Sequence, residues 1–160
     1  MRIVLVLTFV LCATAAHARN ATGYLGGEKI KVRLTEIDGK PVEIRTAKAF
    51  RIMQKAARKH GVQLGIRSGF RTFEKQAKLY KQYRRGAGNL AAPPGYSNHE
   101  SGRALDIYIT DHHAYDWLQA HGAKYGFHRT VPGEAWHWEY LGDEDRSVAR
   151  PDGKKRRSSS

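Results

Sequence analysis

The chain has 160 residues, a formal net charge of +13 at pH 7 and one cysteine. This length provides one modest hydrophobic core, so we expect a single domain. One cysteine excludes an intramolecular disulfide framework, which leaves core packing and metal binding to stabilise the fold. The positive charge indicates either an anionic partner or simple solubility.

Residues 1–18 have the pattern of an export signal. Arg2 precedes an apolar run, Ile3–Cys12, of about ten residues, which is too short to span a bilayer. Ala16–Ala18 then supplies a small-x-small cleavage signal, which predicts a mature chain beginning at Arg19. The alternative is an N-terminal membrane anchor. We expect a signal peptide over residues 1–18, a secreted or periplasmic protein, and no stable membrane insertion.

The chain after residue 18 shows no recognisable nucleic-acid-reading motif, and export conflicts with a nucleic-acid partner. Cell-wall polymers and anionic membrane surfaces fit an exported basic protein better. Residues 149–160 end in the run Lys154–Arg157 followed by three serines, and Lys154–Ser160 contains no apolar residue to bury. This predicts a disordered basic tail. We expect the protein to be a monomer.

The first elements after the signal are predicted to be a hairpin and a helix. Apolar residues alternate in Lys29–Ile37, Asp38–Gly39 reads as a turn, and alternation resumes after it. Thr46 is expected to cap the helix, and Gly61 to end it. The predicted apolar stripe of this helix comprises Ala49, Ile52, Met53, Ala56 and Ala57.

The middle of the chain predicts a short strand, a second helix and a long loop. The strand covers Val62–Ile66, and the helix begins near Thr72. Its inward side chains are predicted to be Phe73, Ala77 and Tyr80. Residues 85–97 contain three glycines and two prolines, so they form a loop long enough to be the rim or lid of a site.

The last third predicts a strand at Ala104–Ile109, a helix at His113–Lys124 capped by Asp111, and a strand at Trp136–Leu141. The turn Pro132–Gly133 introduces that last strand. Strands and helices are mixed without a regular βαβ rhythm. The sequence therefore predicts an α+β fold: a small single domain with a central antiparallel sheet flanked by helices.

Two stretches, Ser97–Asp106 and Glu134–His137, carry the candidate chemistry. Together they offer two imidazoles and a carboxylate, the ligand set that zinc takes in catalytic sites, where a fourth position is left for water. Glu134 is not needed for that ligand count, and its position three residues before His137 suits a base that deprotonates the water.

A lone histidine is more often a packed or surface residue than a ligand. We interpret four histidines in this way: His60, His112, His113 and His128. His121 is interpreted as a packing residue on the third helix. His99 differs because Ser97, Gly102 and Asp106 stand at set offsets from it. Asp106 has apolar strand neighbours, and a buried carboxylate must be paired, hydrogen-bonded or bound to a metal.

The pattern Ser97-x-His99-x-x-Gly102-x-Ala104-x-Asp106, followed by Glu134-x-Trp136-His137, resembles the zinc D-alanyl-D-alanine carboxypeptidases of the VanY type. These belong to the LAS group of metallopeptidases, with lysostaphin-like and hedgehog-like domains. The segment Ser68-Gly69-Phe70-Arg71-Thr72, with Gln76, is similar to that family's third motif. The resemblance covers Val62–Tyr140 and implies a hedgehog/D,D-peptidase-like fold for a zinc peptidase domain over residues 19–148.

The resemblance implies zinc as the cofactor, with His99, Asp106 and His137 as its ligands. It implies Glu134 as the catalytic base and Arg71 as a second catalytic residue, because a guanidinium suits a developing oxyanion or a substrate carboxylate. The residues implied to face the substrate are Ser97, Gln76 and Trp136, with Tyr96 as a further candidate. Each has an alternative: a surface ion pair for Arg71, local hydrogen bonds for Gln76 and Ser97, and packing for the aromatic residues.

The implied function is a zinc-dependent peptidase of peptidoglycan stem peptides, first of all a D-alanyl-D-alanine carboxypeptidase. One alternative keeps the zinc mechanism and cuts another bond, as an endopeptidase or an L,D-carboxypeptidase. Another is a non-catalytic wall-binding module. The presence of Glu134 beside a full ligand set argues against the last, because a binding module needs no base.

Overall fold

The computed structural model describes residues 18–109 and 111–142, which form two antiparallel sheets and three α-helices. The predicted signal peptide, apart from Ala18, and the predicted basic tail lie outside the described residues, as do residues 143–148 of the predicted domain. Within the described ranges, no helix combines the length and apolarity needed to cross a membrane.

The first sheet is a three-stranded meander of β1 (Arg19–Leu25), β2 (Glu28–Ile37) and β3 (Lys40–Glu43). The predicted hairpin between β2 and β3 is confirmed, with Asp38 and Gly39 both at positive φ in the turn. Strand β1 was not predicted. It pairs along its whole length with β2. Most of its side chains are exposed, so its sequence shows little alternation of apolar and polar residues.

Helix α1 (Ile44–Arg58) begins earlier than predicted, and Thr46 is not its cap. The carboxylate of Glu43, at the end of β3, accepts hydrogen bonds from the backbone N–H groups of Arg45 and Thr46 and so caps the helix. The buried stripe also differs from the prediction, since Phe50 is fully buried whereas Ile52 is half exposed.

The second sheet has the order β4-β5-β7-β6 and is antiparallel throughout. Its strands are β4 (Ile66–Ser68), β5 (Ala104–Ile107), β6 (Phe127–His128) and β7 (His137–Tyr140). The predicted strand at Val62–Ile66 is therefore displaced toward the C-terminus, and β6 was not predicted. One core unites this sheet with α1 and α3, built around Phe50, Leu105, Leu118, Phe127 and Trp138.

Two further helices flank this sheet, α2 (Phe73–Arg84) and α3 (His112–His121). Asp111 caps α3 as predicted, and α2 begins near Thr72 as predicted, with Thr72 as its cap. Of the predicted inward side chains of α2, Ala77 and Tyr80 are half-buried, but Phe73 is 37% exposed, and Gln76 is the one buried side chain of this helix. Helix α3 ends three residues before the predicted Lys124 and continues as a 3-10 turn, Gly122–Tyr125.

Candidate active site

Asp106 and His137 are brought together by the pairing of β5 with β7, in which they are direct cross-strand partners. The neighbours Leu105 and Ile107 point into the core and are fully buried. Because side chains alternate along a strand, Asp106 points to the opposite face of the sheet, where His137 also lies. This pairing places a carboxylate beside an imidazole 31 residues away in the chain.

His99 reaches the same point from the loop before β5. Its Nδ1 atom lies 2.8 Å from the carbonyl oxygen of Gly69, which can only accept a hydrogen bond, so Nδ1 carries the proton. Its Nε2 atom lies 3.3 Å from Asp106 Oδ1. The lone pair of Nε2 is therefore directed toward the carboxylate and available to a cation between them.

His137 is oriented by a second carboxylate. Its Nε2 atom lies 2.9 Å from Glu139 Oε1, while Nδ1 lies 3.4 Å from Asp106 Oδ1. An ionised Glu139 accepts the proton of Nε2, which leaves Nδ1 facing Asp106. One ligand atom each from His99, Asp106 and His137 lies within 4.8 Å of the others.

This donor set fits zinc. Two imidazoles and a carboxylate supply three protein ligands and leave a fourth position open, as in catalytic zinc sites. Each imidazole donates its other N–H to a carbonyl or a carboxylate, the support that metal-binding histidines usually have. Burial opposes ionisation of Asp106, but hydrogen bonds and charge from His137 and His99 prevail and hold the pKa of Asp106 well below its ordinary range.

Glu134 lies beside this group without belonging to it. Its Oε2 atom is 3.9 Å from His137 Nδ1, and its side chain is one-fifth exposed. The adjacent Gly133 has a φ of +84°, and the backbone N–H of His137 donates to the Glu134 carbonyl. This turn brings the Glu134 carboxylate back toward His137 although it lies off the strand.

Arg71 supplies the cation of the site. Its Nη2 atom is 4.0 Å from Asp106 Oδ2, and Nη1 donates to Gln76 Oε1 at 2.8 Å. Its Nε is buried and has no hydrogen-bond partner among the described residues. Burial lowers the pKa of Arg71, against the raising effect of Asp106, Glu100 and Glu134, and a guanidinium remains charged in any case. An unpaired N–H of a buried cation can donate a hydrogen bond to an anionic ligand.

Gln76 lines the pocket but has both polar atoms engaged by the protein. Besides accepting from Arg71, it donates from Nε2 to the carbonyl of Ala92 at 2.7 Å. It is fully buried. Gln76 therefore connects the Arg71 guanidinium to the loop between α2 and β5. This agrees with the alternative that Gln76 makes local hydrogen bonds instead of facing the substrate.

The pocket has a volume of about 790 Å³ and is lined by all nine predicted site residues. Tyr96 is 61% exposed at its rim, whereas Ser97 is buried and its Oγ accepts from the N–H of His99. Trp136 is half-buried in the wall. Sequence reasoning thus selected residues that the fold brings into one cavity.

Glu100 is the residue near the site that sequence reasoning missed. Its carboxylate is fully buried and accepts hydrogen bonds from the backbone N–H groups of Gly95 and Ser97. Burial raises its pKa, against the lowering effect of these hydrogen bonds and of Arg71. A glutamate next to His99 has no sequence signal that distinguishes it from an exposed acid.

Comparison with known proteins gives consistent matches. The model of the VanY family, described as D-alanyl-D-alanine carboxypeptidase, matches residues 39–143. A D-alanyl-D-alanine carboxypeptidase of Enterococcus faecalis is 31% identical over 136 residues, which cover 67% of this chain and 51% of that protein. The chain spans about half the length of the first curated relatives that it matches.

Two solved structures have similar folds. One is VanYB in complex with D-alanine-D-alanine, with a TM-score of 0.60 and 29% identity over 71% of this chain and 79% of that chain. The other is a mutant of the vancomycin-resistance D,D-pentapeptidase VanY in complex with Zn(II), with a TM-score of 0.59 and 29% identity over 71% of this chain and 80% of that chain. The predicted α+β, D,D-peptidase-like fold is thereby confirmed.

Proposed function

Because the chain belongs to the VanY family of D-alanyl-D-alanine carboxypeptidases, we propose that it is a zinc-dependent carboxypeptidase that removes the terminal D-alanine from peptidoglycan stem peptides. The observation that carries this proposal is the convergence of five side chains in one pocket: Arg71, His99, Asp106, Glu134 and His137. They supply a metal ligand set, a carboxylate outside that set and a cation. Metal-assisted hydrolysis of an amide next to a free chain end uses these three kinds of group.

His99, Asp106 and His137 would hold the zinc ion, with Nε2 of His99 and Nδ1 of His137 as the nitrogens that face Asp106. Zinc in such a site lowers the pKa of a bound water to about 7 and polarises the scissile carbonyl. Gly69 and Glu139 keep the two rings in the required tautomers by accepting their other N–H groups.

Glu134 is the general base. Its carboxylate is close to the ligand nitrogen of His137 and retains some exposure, so it can take a proton from the attacking water and deliver it to the departing amine. The resulting transfer is complete within the site: the proton lost by the nucleophile becomes the proton gained by the leaving D-alanine.

Arg71 receives the negative charge of the substrate. Its unpaired Nε–H and its position beside Asp106 suit either the terminal carboxylate or the oxyanion that develops next to it. Gln76 holds this guanidinium in place, while Ser97, Tyr96 and Trp136 contact the rest of the stem peptide from the pocket wall.

An endopeptidase or an L,D-carboxypeptidase would use the same zinc chemistry on a different bond of the stem. A non-catalytic wall-binding module would not need Glu134. We propose secretion or periplasmic placement after cleavage of residues 1–18, a peptidase domain over residues 19–148, and a monomeric protein.

Mass spectrometry of purified muropeptides tests the activity. Zinc-loaded protein is incubated with pentapeptide stems, and the expected product is a tetrapeptide stem together with free D-alanine. Release of a larger fragment would support the endopeptidase instead, and removal of a residue only from tetrapeptide stems would support the L,D-carboxypeptidase. The Glu134→Gln variant controls for contaminating hydrolases.

A further inference from the structure

We propose that the tip of the β1–β2 hairpin, residues 24–27, is a specificity-determining element of this site. It fixes the segment 95–97 at the rim of the pocket and thereby sets how tightly the stem peptide binds. This inference rests on the proposed function. Residues 24–27 do not line the pocket and precede the span that matches the VanY family, residues 39–143.

Gly95 is held on both sides of its backbone. Its N–H donates to the two carboxylate oxygens of Glu100, at 3.0 and 2.9 Å, and its carbonyl accepts from the N–H of Gly27 at 2.9 Å. The hairpin also reaches Glu100 directly, because the N–H of Tyr24 donates to the Glu100 carbonyl at 3.0 Å. Glu100 and the hairpin therefore hold Gly95 together.

Glu100 extends this connection to the pocket wall. The same buried carboxylate accepts from the N–H of Ser97 at 3.2 Å, so one side chain sets the backbone on both sides of Tyr96. The hairpin also contacts the first residue of α2, the helix that carries Gln76, since the ring centroids of Tyr24 and Phe73 lie 4.8 Å apart.

A side chain at Gly27 would push against the ring of Tyr96, which is 61% exposed and must move to admit it. A Cβ added to Gly27 would lie 2.8 Å from the hydroxyl oxygen of Tyr96 and 3.1 Å from its Cζ, whereas a Cβ added to Gly26 would meet nothing within 4 Å. Both glycines have positive φ, +59° at Gly26 and +89° at Gly27. These neighbours form a matched pair: alanine strains the turn at either position, but only at Gly27 does it also displace the Tyr96 ring at the rim.

The test compares Gly27→Ala with Gly26→Ala in the zinc-loaded protein. For Gly27→Ala we expect KM for a pentapeptide stem to rise about tenfold, with kcat within about twofold of wild type, the pattern of lost uniform binding. Zinc content should be unchanged. Gly26→Ala should keep the wild-type KM even if its melting temperature falls as much as that of Gly27→Ala. Equal KM values in the two variants would overturn the inference.

Amide hydrogen exchange gives a readout that does not depend on turnover. Gly27→Ala should accelerate exchange in the peptide containing Gly95 and Ser97, and the double variant Gly27→Ala/Tyr96→Ala should restore the protection. If Gly27→Ala does not fold, Glu100→Gln tests the same connection, because it turns an amide donor toward the N–H of Gly95. Wild-type exchange rates in either variant would contradict the proposal.

The failure of the inference is distinguishable from the failure of the proposed function. Wild-type protein that releases no D-alanine refutes the function. Wild-type protein that releases D-alanine, with Gly27→Ala equal to Gly26→Ala in KM or with wild-type exchange rates in Gly27→Ala or Glu100→Gln, overturns the role of the hairpin alone.

Discussion

Glu139 Oε1 lies 2.9 Å from Nε2 of His137, two residues earlier on the same strand face, and this contact determines which ring nitrogen faces Asp106. Since the carboxylate accepts the Nε2 proton, Nδ1 is the nitrogen left for a metal. Burial alone would lower the pKa of His137, but its hydrogen bonds to Asp106 and Glu139 and their charges raise it to about 9 in the metal-free protein.

We expect Glu139→Gln to weaken zinc binding by about 10-fold to 100-fold, the usual cost of losing a supporting carboxylate. The amide oxygen can still accept from Nε2, but it lacks the charge that makes the imidazole a stronger ligand. Competition with a chromophoric chelator measures the affinity. Glu28→Gln, an exposed position at the start of β2, is the control. Equal zinc affinity in the two variants would show that Glu139 does not support the metal.

Replacing His99 or Asp106 by alanine should remove most of the zinc and lower the melting temperature. Metal bound only by the folded state stabilises it, so loss of a ligand lowers the free energy of unfolding. Metal analysis and thermal unfolding with and without a chelator measure both effects, and His113→Ala on the exposed face of α3 is the control. Undiminished zinc in both ligand variants would place the metal elsewhere.

The raised pKa of His137 predicts a pH dependence of opposite sign for stability and for zinc binding. Its folded pKa, about 9, exceeds the ordinary 6.5, so its stabilising contribution to the metal-free protein is complete below pH 6.5 and is lost as pH rises to 9. Asp106 and Glu139 have lowered pKa values and stay ionised across this window.

Zinc must displace the proton of His137, so its apparent affinity should rise as pH approaches 9, by at most about tenfold per pH unit for one displaced proton. Urea unfolding of the metal-free protein and chelator competition between pH 6.5 and 9 measure the two trends. A zinc affinity that is constant over this range would contradict the prediction.

The convergence of the candidate metal ligands was predictable because it depends on spacing. His99 and Asp106 stand in one short motif, and the alternation of β5 fixes the face on which Asp106 lies. The cap of α1 was not predictable in the same way: Thr46 is the better capping residue by type, yet Glu43 ends a strand whose pairing with β2 directs its carboxylate at the first turn. Tertiary position prevailed over local preference.

The hydrogen bonds that bury Gln76 and Glu100 near the pocket could not be predicted from the sequence either. Gln76 is buried on an otherwise exposed helix because Arg71 and Ala92 satisfy its amide, and no periodicity indicates such partners. Glu100 is buried because two backbone N–H groups of a glycine-rich loop point at it. Long-range partners of this kind appear only when the loop is placed against the sheet.

Glu134→Gln should retain zinc and lose activity. The amide has nearly the shape of the carboxylate but cannot accept the proton of water, and general acid–base assistance contributes about a hundredfold to ten-thousandfold. Turnover on a pentapeptide stem, with zinc measured in the same sample, checks this expectation. A fall of less than about tenfold with full zinc would be too small for a general base and would move that role to another carboxylate, Glu139 being the next candidate.

We expect Arg71 to recognise the C-terminal carboxylate of the substrate peptide. A carboxypeptidase must neutralise the free carboxylate of its substrate, and the unpaired Nε–H of Arg71 is buried in the pocket that would hold it. Amidation of the terminal D-alanine should therefore leave a buried charged donor without its partner, at a cost of about 1 to 3 kcal/mol.

That cost corresponds to a fall in kcat/KM of about 5-fold to 150-fold for the amidated stem. Arg71→Gln should be slow on both substrates and should lose most of this discrimination, because the cation that distinguishes them is gone. An endopeptidase would accept the amide, since its cleft already admits chain on both sides of the scissile bond. Equal rates of wild-type protein on free and amidated stems, with release of a fragment longer than one residue, would therefore change the substrate assignment and leave the zinc chemistry intact.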